Sequence, residues 1–281
     1  MIFDRDERIY WEDKVIAYLH DSPDKMFFIP GHEERAAELI ESLGLQKPNF
    51  EKYRQADAIA AGFERGFLPP YSKDENKNGA VSMLVSPYLT HPISHTDPLL
   101  LRFPDDFPKT RDEKIAKASA DTVNAALIEF MHKALEAEPV LSRTVDEPPY
   151  AKRLFFYLHL ALRFRLSSEN ICGLGAFWHR IPADTRIPDH SIWQHNALTS
   201  ALSSCSDIGK GLEDVALMSY SITPVQSYIN SARRLRDFWT GSIILSWLAF
   251  EGIVWVMENL GPDHILYPSL IDQPLVRLYL T

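Results

Sequence analysis

The sequence predicts an α+β protein: a mainly helical first part, residues 1–205, then a second part, residues 212–281, that opens as β-α-α-β with an incomplete sheet. Three observations predict this. Apolar residues at three-to-four spacing recur in segment after segment from Ile9 to Leu202. After Gly209-Lys210-Gly211 the pattern turns to alternation over Ala216 to Ile222, with Met218, Tyr220 and Ile222 on one side. A long apolar run, Phe238 to Met257, then leads through Gly261-Pro262 to a second short strand over His264 to Tyr267.

Taken in order, the first helix is expected over Arg8 to Tyr18, with Ile9, Trp11, Val15 and Ile16 as its apolar members and Leu19 following. Ser22-Pro23-Asp24 breaks the chain, and the Pro30-Gly31 turn leads into a helix over His32 to Leu43, ended by Gly44. A third helix is expected from Phe50 to Phe63, carrying Asp57. Residues 71–110 read as an irregular excursion, with a charged turn at 73–79 and prolines around His91 and His95, both read as packing or surface residues. Core helices follow over Arg111 to Glu138 and Tyr150 to Leu166, with His132 and His159 as structural members. Pro182 and Pro188 keep the next segment extended until a helix begins near Ser191. In the second part, one helix is expected over Val225 to Asp237 and the apolar one over Thr240 to Leu260.

Composition narrows the function. A net charge of −9 over 281 residues excludes a globally basic nucleic-acid module, while leaving room for a local basic groove or a basic partner. Two cysteines, Cys172 and Cys205, and a charged N-terminus without a signal peptide point to a cytoplasmic protein. The run from Phe238 to Met257 approaches the length of a membrane span, but Gly241, Glu251 and Gly252 interrupt it and no basic cluster flanks it. It is read as a buried core helix.

The segment AYLHDSPDKMFFIPGHEERA, residues 17–36, gathers the candidate chemistry. His20 and Asp21 offer an imidazole and a carboxylate, a pairing that suits a borderline divalent cation, and His32 can bring a third ligand from the next helix. Lys25 is a point cation able to meet a phosphate. A His-Asp pair alone is common, so the rest of the chain must supply further ligands. His195, one turn into its helix, and the extended approach with Asp184, Arg186, Asp189 and His190 form a second candidate cluster.

Four blocks in family order resemble a known family: LHDSPDK with GHEERA; ADAIAAGFERG; PADTRIPDHSIWQHNALTSAL; and SITPVQSYINSARRLRDFWTGSIILSWL with HILYPSLIDQPL. They are similar to the large polymerase and HD-nuclease subunit of type III CRISPR effector complexes, in its Cmr (type III-B) branch. The resemblance implies a permuted HD domain over residues 1–205 and the incomplete start of a ferredoxin-like palm over residues 212–281. It implies a divalent metal (Mn, Ni, Mg or Co) held by His20, Asp21, His32, Asp57 and His195, with His20, Asp21 and Lys25 catalytic and Lys25 facing the scissile phosphate. Single-stranded DNA would be the substrate, cut by metal-activated water once target RNA is bound. Other Cmr-type subunits, CRISPR RNA and target RNA would be partners through the complex, with no membrane involved.

The sequence departs from the family pattern at Glu64-Arg65, where Asp-Arg is frequent, and at Gln194, where Asp often precedes the terminal His. Ser221 and Thr223 stand where a catalytic palm places carboxylates, and no Gly-Gly-Asp-Asp sequence occurs, so the chain is expected to be a fragment or a split subunit. Cyclic oligoadenylate synthesis would need the second palm; Gln226 is the one candidate contact to a nucleotide, with ATP a ligand of the full-length subunit. Two other functions stay open: an inactive HD-like module that docks effector subunits, and an HD phosphohydrolase acting on free nucleotides.

Overall fold

A computed structural model of the chain describes residues 6–61, 82–85, 88–91, 99–100, 103, 110–137, 149–184, 188–205 and 215–280, which are mainly helical. The helices are α1 (Glu7–Leu19), α2 (His32–Ser42), α3 (Arg54–Ala60), α4 (Glu113–Ala137), α5 (Tyr150–Tyr157), α6 (Arg163–Ser168), α7 (Ile192–Cys205), α8 (Val225–Asn230), α9 (Leu235–Asn259) and α10 (Pro274–Leu280). A π turn at Leu158–Leu162 joins α5 to α6. Among the described residues, pairing is confined to a two-residue antiparallel ladder, β1 (Tyr88–Leu89) with β2 (Leu99–Leu100), and a bridge between Pro182 and Ser191.

Helix α1 is the hub. The Asp6 carboxylate caps it by accepting from the Arg8 and Ile9 amides at 2.9 and 3.4 Å, an arrangement worth about 1 kcal/mol. Its positions 11, 15, 18 and 19 form one stripe, so Trp11, Val15, Tyr18 and Leu19 are all buried, and the helix packs against α5 and α7. Helix α4 follows the expected stripe, burying Val123, Leu127, Phe130, Met131 and Ala134. His132 is exposed and bonds the Ser42 carbonyl at 3.1 Å, whereas His159 lies against the rings of Tyr18 and Phe155. Both are structural, as the helical pattern implies.

The second part departs from expectation in four ways. Residues 215–224 form no strand: among the described residues no backbone pairs with them, and Leu217 and Met218 are 86% and 78% exposed. No strand forms over the expected His264 to Tyr267: His264 ends a 3-10 turn, Pro262–His264, in which Asp263 is bonded inward by Lys14, and residues 265–267 follow without regular structure. The single helix expected over Val225 to Asp237 is two, since the Ser231 hydroxyl bonds the Tyr228 carbonyl and Arg234 is extended at φ −129°. Finally, α9 is a helix but not a core helix. Only Gly241, Phe250, Val256 and Met257 are buried, while Trp239 is 64% and Trp255 51% exposed. It is long and apolar enough to cross a membrane by length and composition alone.

The boundary expected between residues 205 and 212 lies outside the described residues. Beyond it, Phe250, Met257, Leu270 and Val276 join the same apolar cluster as Trp11 and Phe155. Polar contacts reinforce this: Tyr10 Oη donates to the Leu260 carbonyl at 2.8 Å, and Lys152 pairs with Glu258 at 2.7 Å. The deepest contact is Lys14 Nζ to Asp263 Oδ2 at 2.7 Å, with both side chains essentially inaccessible. Ser204 accepts from Lys14 at 3.1 Å and contacts His264 Nε2 at 3.0 Å, extending the cluster.

Burial pushes the imidazoles of His159 and His264 down to about 4; nearby Lys14 adds to this and Asp263 opposes it. In the unfolded chain a His titrates near 6.5, so between pH 6.5 and 4 the unfolded state binds protons that the folded state refuses. Stability is therefore fully present above that window and falls with pH through it, by about 1.4 kcal/mol per pH unit for each proton of difference. Urea unfolding from pH 7.5 to 4.5 should show the decline, and His159→Gln should flatten it; a constant midpoint would contradict the assignment.

Candidate metal centre

Each element delivers its side chain for a local reason. Ser22, preceding Pro23, is extended at ψ 145°, which stops α1 and leaves His20 at its C-cap with Asp21 just beyond. A 3-10 turn, Pro23–Met26, brings Lys25 back onto the Asp21 carboxylate. Gly31, at φ 71°, takes a left-handed conformation at the head of α2 and sets His32 facing Asp21. Helix α3 packs against α7, which places Asp57 opposite His195.

Five side chains named from the sequence thus converge. His20 Nε2 lies 3.6 Å from Asp21 Oδ2 and 3.8 Å from Asp57 Oδ1. His195 Nε2 lies 3.2 Å from Asp57 Oδ1 and 3.8 Å from Asp21 Oδ2, and His32 Nε2 lies 3.5 Å from Asp21 Oδ1. His20, Asp21 and His195 are buried and offer ligand atoms all within 4.8 Å of one another.

These distances fit a shared cation. Donors bound at about 2.1 Å to one divalent ion stand roughly 3 to 3.5 Å apart. His20 Nε2 is buried, makes no hydrogen bond and faces two carboxylates. His20 Nδ1 bonds the Ala17 carbonyl and His32 Nδ1 the Ile29 carbonyl, each at 2.8 Å, which assigns their protons to Nδ1 and the lone pairs to Nε2. Imidazole ligands are oriented this way in metal sites.

The electrostatics favour a cation too. Burial alone would raise the Asp21 carboxyl, but Lys25, His20, His32 and His195 outweigh it and hold it well below the carboxylate range. Asp57 is also held well below the carboxylate range: the facing His195 and His20 overcome burial. Burial lowers His32 and His195, whereas at His20 the two carboxylates outweigh burial and raise it. Both carboxylates are thus anionic across the neutral range.

Other candidates stand elsewhere. Gln226 is exposed on the first turn of α8. Gln194 is exposed and caps α7, accepting from the Ser191 amide at 3.1 Å. His190 bonds Asp189 at 2.7 Å, with its ring 6.2 Å from that of His195, and Asp184 adds its field to Lys25. Glu64, Arg65, His95 and Arg186 lie outside the described residues. Two supports were missed in the sequence: Asn196, whose amide donates to the Asp21 carbonyl at 2.7 Å, and Arg35, which pairs with buried Asp24. The signal was present, since position 35 shares the inner stripe of α2 with Leu39, and a cation there requires a carboxylate.

Residues 217–281 match the family model described as CRISPR-associated protein Cmr2, N-terminal. A CRISPR system Cmr subunit Cmr2 of Pyrococcus furiosus is 29% identical over 292 residues, covering 96% of this chain and 32% of that protein. The Cmr2 of Saccharolobus solfataricus is 33% identical over 107 residues, 37% of this chain and 10% of that protein. The chain therefore spans about a third of the length of the longer-matching curated relative. These matches make it similar to large subunits of CRISPR effector systems. The matches support a likeness to the N-terminal region of Cmr2, the type III-B large subunit.

Proposed function

We propose that this chain is the HD-type nuclease portion of a type III-B effector large subunit, cleaving single-stranded DNA at the His20–Asp21 site. The observation that carries this reading is the convergence of His20, Asp21, His32, Asp57 and His195 from separate elements onto one buried, anionic centre. His20, Asp21, Asp57 and His195 would hold a divalent ion such as Mn or Ni, with His32 completing the set. When bound, such an ion supplies Lewis-acid polarisation and activated water for phosphodiester attack. Asp21 and Asp57 orient the imidazoles, and Lys25 balances Asp21 and presents a cation to the phosphate.

The remaining parts of the reading rest on the likeness to Cmr2. Other Cmr-type subunits are the partners, with CRISPR RNA and target RNA reached through the assembly in the cytoplasm. Residues 212–281 begin a palm whose sheet would cover the bare face of α9. ATP contact through Gln226 belongs to the longer subunit, since Ser221 and Thr223 supply no carboxylate here.

The test is cleavage of labelled single-stranded DNA by the purified chain with Mn or Ni. The wild type should cut, and a His20→Ala/Asp21→Ala variant should not. Absence of cleavage by both would favour a docking module, and hydrolysis of free nucleotides without DNA cleavage would favour a phosphohydrolase.

A further inference from the structure

We infer that Arg35 is a positioning residue for the metal centre, acting through His32 and Lys25; this rests on the metal-site reading above. The loop between α1 and α2 carries Asp21 and Lys25 and leads to His32, so the spacing of these groups depends on the shape of the ten positions between Asp21 and His32 rather than on a continuous helix. Arg35 lies one turn beyond His32 on α2 and reaches back across that loop. Its Nε donates to Asp24 Oδ2, its Nη2 to the Phe28 carbonyl, and its Nη1 to the Pro30 carbonyl at 3.0 Å.

The placement of those acceptors is what ties Arg35 to the site. Phe28 and Pro30 flank Ile29, whose carbonyl accepts from His32 Nδ1 at 2.8 Å and so sets the tautomer and orientation of that ring. Asp24 immediately precedes Lys25, whose amide bonds the Ser22 carbonyl at 2.9 Å and whose ammonium sits on Asp21. One planar guanidinium therefore fixes both ends of the loop. Its rigid fork suits three separate acceptors, which a lysine ammonium cannot reproduce with the same geometry. Asp24 and Arg35 are both buried, so the fork is shielded from competing water.

The test is Mn2+ binding by calorimetry on the full 281-residue chain, with thermal unfolding of the metal-free form alongside. Because a lone Arg35→Ala leaves Asp24 buried and uncompensated, the informative variants are Arg35→Lys, which keeps the charge, and Asp24→Leu/Arg35→Met, which replaces the pair with apolar groups. Each should bind Mn2+ about 10- to 100-fold more weakly than the wild type, the range typical of groups that orient a ligand, with little change in the metal-free midpoint. In a His32→Ala background the same changes should have a much smaller effect, because the route through His32 is already lost. Wild-type affinity in either folded variant, or an equal loss with and without His32, overturns the role of Arg35 and leaves the metal site standing. A wild type that binds no Mn2+ overturns the metal reading itself.

Discussion

Replacing Asp21 by Asn is expected to weaken Mn2+ binding by about a hundredfold or more and, under the proposed function, to abolish DNA cleavage, since even groups behind a ligand contribute about 10- to 100-fold. Asp21 is the shared centre of the cluster: one oxygen faces His32 and the other faces His20, His195 and Lys25. The amide keeps the volume but removes the charge that all four neighbours surround. Calorimetric titration with Mn2+, with circular dichroism to confirm the helical content, measures the effect. Wild-type affinity in the variant would exclude Asp21 as a ligand.

The largest effect on stability is expected at Lys14. Lys14→Met should cost about 3 to 5 kcal/mol, because Asp263 then remains buried without its cation. Burial alone would raise the Asp263 carboxyl, but Lys14, His264 and His159 outweigh that and hold it ionised. Lys14→Met/Asp263→Leu should recover most of the loss, as apolar replacements of a buried pair commonly do. Guanidinium unfolding of the three proteins gives the comparison, and a double variant no better than Lys14→Met would rule out pairing as the cause. The approach is close enough to require glycine next door: at Gly261, with φ 111°, a Cβ would lie 2.5 Å from Asp263 Oδ1 and 2.6 Å from Lys14 Cε.

The first part was legible because its signals are local. Apolar spacing located α1, α2, α4 and α7, and Pro23 and Pro30-Gly31 marked the loop between the first two. Distance in sequence hid more. That Asp57 and His195 meet His20 follows from α3 packing on α7, and the pairing of these residues was inferred from a resemblance rather than from spacing. Nothing in the local pattern around Lys14 announces its partner carboxylate, Asp263, 249 positions later. Strands were misread in the second part because alternation describes only a side-chain pattern; Met218, Tyr220 and Ile222 have the pattern, but among the described residues no backbone pairs with theirs to complete a ladder.

The uncovered face of α9 gives the chain an amphiphilic character. Trp239, Ile243, Trp247, Leu248 and Trp255 together form a water-facing apolar band, while a net charge of −9 makes copies repel one another. That repulsion is screened within a Debye length of about 8 Å at physiological ionic strength, whereas attraction between bare helices is not weakened by salt. The colloidal balance of the chain is therefore set by ionic strength: dilute salt favours separate copies, and concentrated salt favours contact through α9.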